Sequence, residues 1–266
     1  TRAEELGLWA AYGRDIARDD FLRRMAARDF GPDVVEAALA SWEHMSRAVG
    51  RLPGLILGPF YYIGPSFLGP AHPLLPSSAD AAPPVFDAYL FYLQELEETF
   101  SRKTIEEARV SLVMNSLAGA APMLGVATDG DLWDLVLREY TAAANEAKAA
   151  WETLAEALPR ARTEADRINL REEILLSELV YRTFFCCENT IRFLRARDAW
   201  EQHGDPDARA EMQRLAACER DNARASLPIY AAAPWLDLAE RTDGRFSPCA
   251  DMLAEKIRLL EAMPAV

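Results

Sequence analysis

Positive charge is scarce in this 266-residue chain: 29 Lys and Arg stand against 42 Asp and Glu, a formal net charge of −13. Nucleic-acid phosphates are bound by clustered basic side chains, so this balance argues against a nucleic-acid partner and against an anionic membrane surface. Histidine is equally sparse, with only His44, His72 and His203, and none has Glu three residues before it, as a di-iron helix pair requires. The four cysteines (Cys186, Cys187, Cys218, Cys249) lack C-x-x-C spacing and are too scattered for a disulfide scaffold. Adjacent Cys186 and Cys187 would point about 100° apart on a helix, and they read as small buried hydrophobes in a reducing, cytoplasmic setting. No apolar run approaches the roughly 20 residues of a membrane helix, so no membrane partner is expected. The chain opens TRAEELGLWAAYGRD, without an initiator Met or a signal peptide, which suggests one domain (residues 1–266) cut from a longer multidomain polypeptide.

Catalytic signatures are missing as well. There is no G-x-S-x-G, and the glycines of GPFYYIGPSFLGP alternate with prolines where a phosphate cradle needs backbone donors. Asp19-Asp20-Phe21-Leu22-Arg23 starts like a diphosphate-binding aspartate motif but ends in Arg, and a helix start explains it. No catalytic residue, metal site or cofactor is predicted.

What the chain does have is one segment unlike the rest. Leu52–Pro84 holds eight of the sixteen prolines and four of the thirteen glycines, yet it is apolar and aromatic. Proline and glycine exclude a long helix or a central strand, and so apolar a segment of this length is expected to line a cleft or cover a partner. Tyr61, Tyr62, Phe67 and His72 are its candidates for contact with a ligand or a neighbouring domain, since aromatic rings stack on sugar faces and Tyr adds a hydroxyl. Trp235, within APWLDLAERTDGRFSP, is a further candidate of the same kind.

Elsewhere the apolar period is helical, which predicts an all-α domain of eight to ten helices. Helices are expected from Asp19/Asp20 to Gly31, Asp33 to Arg51, Val85 to Ser101, Thr104 to Leu117 and Leu132 to Leu158, the last capped by Asp129 or Asp131. The second of these places Val35, Leu39, Trp42, Met45 and Val49 on one apolar stripe. Thr163-x-x-Asp166 resembles a capping box opening a helix to Trp200, with Ile168, Leu175, Leu179, Phe185, Ile191 and Leu194 inward. A helix at Asp207–Leu227, stopping before Pro228, and one at Pro248–Ala262 complete the set. Glu178/Arg182 and Glu188/Arg192 are i,i+4 pairs in the favoured order. Any burial of Arg182, Glu188 or Asn189 would demand partners.

Two stretches resemble the helical region that follows the catalytic barrel in large bacterial glycoside-hydrolase-like proteins of α-glucuronidase-type architecture. They are FLRRMAARDFGPDVVEAALASWEHMSRAV with GPFYYIGPSFLGPAHPLL, and the tail ERDNARASLPIYAAAPWLDLAERTDGRFSPCADMLAEKIRLLE. The resemblance implies an accessory domain packing on an upstream catalytic barrel, with roles at the substrate-cleft rim or in homo-oligomer contacts, and carbohydrate as ligand. Pro234-Trp235-Leu236-Asp237 lacks the basic residue such a turn carries in several relatives. Two alternatives remain open: a stand-alone helical enzyme for a small apolar substrate, lined by Trp42, Phe184 and Phe185, and a protein-interaction module.

Overall fold

The computed structural model describes residues 17–51, 68–101, 104, 131–237, 239–240 and 246–263. Among these the chain is all-α, with seven α-helices: α1 (Arg18–Phe30), α2 (Val35–Gly50), α3 (Leu90–Phe100), α4 (Leu132–Ala157), α5 (Glu164–His203), α6 (Pro206–Ala232) and α7 (Cys249–Ala262). The predicted segment 105–117 lies outside the described residues, and Thr104 forms an isolated antiparallel bridge with Asp131. A two-residue ladder, Ala239–Glu240 against Phe246–Ser247, is the β-structure among the described residues.

The axis of the fold is α5. Forty helical residues span on the order of 60 Å, and α4, α6, α1 and the short turn Gly69–Ala71 all pack on it. Its start is the predicted capping box: Thr163 Oγ1 accepts from the Asp166 amide and Asp166 Oδ2 from the Thr163 amide, both at 3.1 Å. Asp166 also abuts Gly31, which takes a φ of 87° and where a Cβ would stand only 2.9 Å from Asp166 Oδ2. The end of α1 is thereby seated on the start of α5. Thr163→Ala is expected to cost about 1 kcal/mol of stability, measured by urea denaturation.

Helix α4 is capped as predicted, by Asp131, whose carboxylate accepts from the amides of Trp133 (2.7 Å) and Asp134 (3.1 Å). Small side chains set its packing. Ala143, Ala144 and Ala147 meet Ala48 of α2 and Phe184 of α5, so the buried face of α2 is Ala37, Ala38, Ser41 and Ala48. The larger predicted stripe of Val35, Leu39, Trp42 and Met45 is only half-buried, and Val49 is exposed. Close helix approach favours alanine at the contact and moves bulk to its margins. On α5, Ile191 and Leu194 are buried as expected, whereas Ile168 lies exposed near the start of the helix.

Pro228 does not end α6, which runs on to Ala232. It stands in the last turn and a half, where the missing donor removes a single ladder bond, and Pro234 begins the next turn. Asp205 caps α6 through the Asp207 amide at 2.9 Å, with Pro206 in the first turn, where its missing N–H costs nothing.

Candidate functional site

The C-terminal end of the proline-rich segment folds back over the middle of α5. Gly69 takes a φ of 56°, and a Cβ there would stand 3.1 Å from Thr183 Oγ1 of α5, so the turn Gly69–Ala71 lies directly on the helix. Residues 72–75 then run without regular structure into a turn closed by the Asp80 amide on Ser77 O (3.1 Å), and Glu201 of α5 anchors that turn. Its carboxylate accepts from Ser77 Oγ (2.8 Å), the Ser78 amide (2.8 Å) and Ser78 Oγ (2.7 Å). Burial works against this carboxylate, but the Ser78 and Ser77 hydrogen bonds more than offset it and hold its pKa below the ordinary value. The turn Pro84–Tyr89 and α3 close the opposite side through Asp87, Leu90, Leu93 and Leu96, while Phe86 and Tyr89 are buried in the core with Leu68 and Ala71.

Between these walls lies a cavity of about 630 Å³, within the usual range of small-molecule sites. Leucines from three elements (Leu74, Leu75, Leu90, Leu93, Leu96, Leu194) give it an apolar body. Two polar side chains sit at its depth. Arg197, 3% exposed, donates to Glu97 Oε2 and more distantly to the Leu75 carbonyl (3.4 Å). Five guanidinium donors face two acceptors, so hydrogen-bonding capacity is left over. His72, 5% exposed, lines the same cavity. Burial, assisted by repulsion from Lys256, pulls its pKa down to about 3, so the imidazole is neutral. Thr190 adds a buried hydroxyl to the wall, and Asp80 and Asp87 stand at the exposed edge.

Beneath the turn lies a second polar cluster. Lys256 of α7 and Glu219 of α6 form an ion pair at 2.6 Å with both side chains 0% exposed. Lys256 Nζ also donates to the Pro70 carbonyl (2.9 Å) and to Cys186 Sγ (3.3 Å), which uses all three ammonium hydrogens. Glu219 Oε1 accepts from Asn189 Nδ2 at 2.7 Å. Asn222 Nδ2 in turn donates to the Arg182 carbonyl at 3.1 Å, and Arg182 is paired with Glu178. The partners that burial of Arg182 and Asn189 demanded are therefore present, and the predicted Glu178–Arg182 and Glu188–Arg192 pairs both form. Burial opposes the Lys256 ammonium, but the Cys186 sulfur and the Glu219 carboxylate raise its pKa above the ordinary value. The Cys186 thiol is pushed up to about 12 by burial and by Glu219, which makes it a poor nucleophile.

Of the residues picked from the sequence, His72 is in the cavity. Tyr61, Tyr62 and Phe67 lie outside the described residues. Trp235 is elsewhere: 57% exposed, it borders a shallow groove of about 270 Å³ with Phe30, Asn169, Glu172 and Leu176. Trp42, Phe184 and Phe185 do not converge. Trp42 packs beside Phe30 and donates to Glu173 at 2.8 Å, Phe184 fills the alanine seam, and Phe185 is half-buried beside Tyr181. Among the described residues no group of three His, Cys, Asp or Glu side chains is placed to hold a metal ion. No helix among them is long and apolar enough to cross a membrane.

Sequence reasoning passed over Arg197, Glu97, Glu219 and Lys256. A signal existed for three of them. Lys256 falls on the buried stripe Met252, Leu253, Leu260, Glu219 on the stripe Leu215, Ala216, Ala223, and Arg197 on the stripe Phe193, Leu194, Ala196. Charges at core positions of opposite sign on neighbouring helices point to a buried pair. Comparison with family models, with curated proteins and with solved structures finds no match to this chain.

Proposed function

We propose that this chain is an accessory helical domain of a carbohydrate-active hydrolase, and that its cavity holds a neutral, hydroxyl-rich small molecule of sugar size. The observation that carries the reading is the cavity with its imidazole: leucine walls around a space of small-molecule size, lined also by Arg197 and by the almost wholly buried, neutral His72. A neutral imidazole offers one donor and one acceptor, which is what a hydroxyl offers in return.

Charge selects against the obvious competitor. Three carboxylates (Asp80, Asp87, Glu97) line the cavity against one guanidinium, and that guanidinium is already paired with Glu97. A phosphate or sulfate entering it meets net negative charge on a chain that is itself strongly acidic. The leucine walls suit the apolar face of a sugar ring. In this reading the exposed Trp235 and Leu176 mark the face offered to the catalytic barrel, and the free cysteines suit a cytoplasmic setting.

The test is thermal denaturation with glucose, xylose, cellobiose and xylobiose, and with inorganic phosphate as the anionic counterpart. A sugar at about 100 times its Kd stabilises the fold by about 2.7 kcal/mol. At least one sugar is expected to raise the Tm of wild type and not of His72→Ala, with phosphate without effect. A Tm raised by phosphate and by none of the sugars overturns the proposal.

A further inference from the structure

The Lys256–Glu219 pair is not where stability alone would place charge. Replacing a buried ion pair with packed apolar side chains of similar volume is often neutral or stabilising, so the pair is best sought in what an apolar residue cannot do. Here that is one hydrogen bond. The turn Gly69–Ala71 is closed by two backbone bonds, from the Ala71 amide to Leu68 O (3.1 Å) and from the His72 amide to Gly69 O (3.2 Å). Pro70, between them, has no N–H to give, and its carbonyl is held from below by Lys256 Nζ at 2.9 Å. The next residue but one is His72. The ammonium is in turn fixed by Glu219 of α6 and by Cys186 of α5, so three helices converge on the turn that carries the cavity's imidazole.

We infer that Lys256 is the positioning residue of the cavity: through the Pro70 carbonyl it seats the turn that delivers His72, an inference that rests on reading the cavity as a binding site. Burial is the larger cause that keeps the His72 ring neutral, and repulsion from the Lys256 ammonium adds to it.

The experiment compares wild type with Lys256→Met/Glu219→Leu, which removes both charges and leaves none buried alone. With three histidines in the chain, the His72 imidazole nitrogens are separable by 15N NMR. In the double variant the His72 pKa is expected to rise by about one unit while staying below the ordinary value, because burial persists. Exchange of the Ala71 and His72 amides is expected to quicken about tenfold, with Ile191 in the middle of α5 unchanged. In wild type a through-hydrogen-bond coupling between Lys256 15Nζ and the Pro70 carbonyl carbon is expected, a readout that needs no variant. Absence of that coupling, or a folded double variant with His72 titration and turn exchange as in wild type, overturns the inference. These readouts involve no ligand. If they move while no sugar binds wild type, the positioning role stands and the binding proposal falls. If sugar binds and they do not move, the reverse holds.

Discussion

Glu219→Ala lowers the free energy of unfolding by about 3–5 kcal/mol, whereas Lys256→Met/Glu219→Leu, which leaves no charge buried alone and costs only the hydrogen bonds to Asn189 and Pro70, lowers it by about 1–3 kcal/mol. The asymmetry follows from burial. Both side chains are 0% exposed, so removing the carboxylate alone strands an ammonium that water cannot reach. It also strips Asn189 Nδ2 of its 2.7 Å acceptor. A native domain has only about 5–15 kcal/mol in total, so the single variant is close to unfolding and the double variant is not. Urea denaturation of the three proteins at pH 7 measures both values. A loss under about 1 kcal/mol in Glu219→Ala would mean that water or rearrangement compensates the ammonium, and the pair would not be the closed unit described here.

Stability falls steeply with acid below pH 6.5, and His72 is the cause. Its pKa is about 3 in the fold, against about 6.5 in the unfolded chain. Between those values the unfolded chain binds a proton that the native protein does not, so stability rises with pH there. The contribution is complete above pH 6.5 and is lost progressively as pH falls towards 3. The slope approaches about 1.4 kcal/mol per pH unit from this one residue. Carboxylates held below their ordinary pKa, among them Glu146, Glu211 and Glu255, lose their contribution only once pH falls below the usual carboxylate range. The window from pH 6.5 to 4.5 is therefore suited to the imidazole. Urea midpoints across it are expected to decline in wild type and to decline less in His72→Gln. Parallel curves for the two proteins would place His72 in water, outside the cavity wall.

Local signals in the sequence carried much of the fold. The capping box at Thr163, the Asp131 cap, Gly31, and the i,i+4 pairs on α5 are all short-range features whose chemistry is complete within a few residues, and each stands where the pattern puts it. Packing was less legible. The α2 face was read by bulk, through Val35, Trp42 and Val49, while the contact is made by alanines because the helices approach closely. Pro228 was read as a stop, although late in a helix it removes one bond and the chain continues. The candidate site was half legible. His72 stood out because it lies in a segment that neither helix nor strand can occupy. The residues about it did not, because Arg197 is 125 positions and Lys256 184 positions further along the chain, and only the fold brings one to the cavity wall and the other beneath the turn. Charges on otherwise apolar helical stripes were the available clue.

The most direct measurement of the central claim is an NMR titration of the wild-type chain at pH 7, following the His72 imidazole nitrogens and the Thr190 amide while cellobiose, xylobiose and inorganic phosphate are added separately. A saturable shift at both residues with a neutral sugar, absent with phosphate, is the predicted result. Shifts with phosphate alone, or none with either sugar, would contradict it.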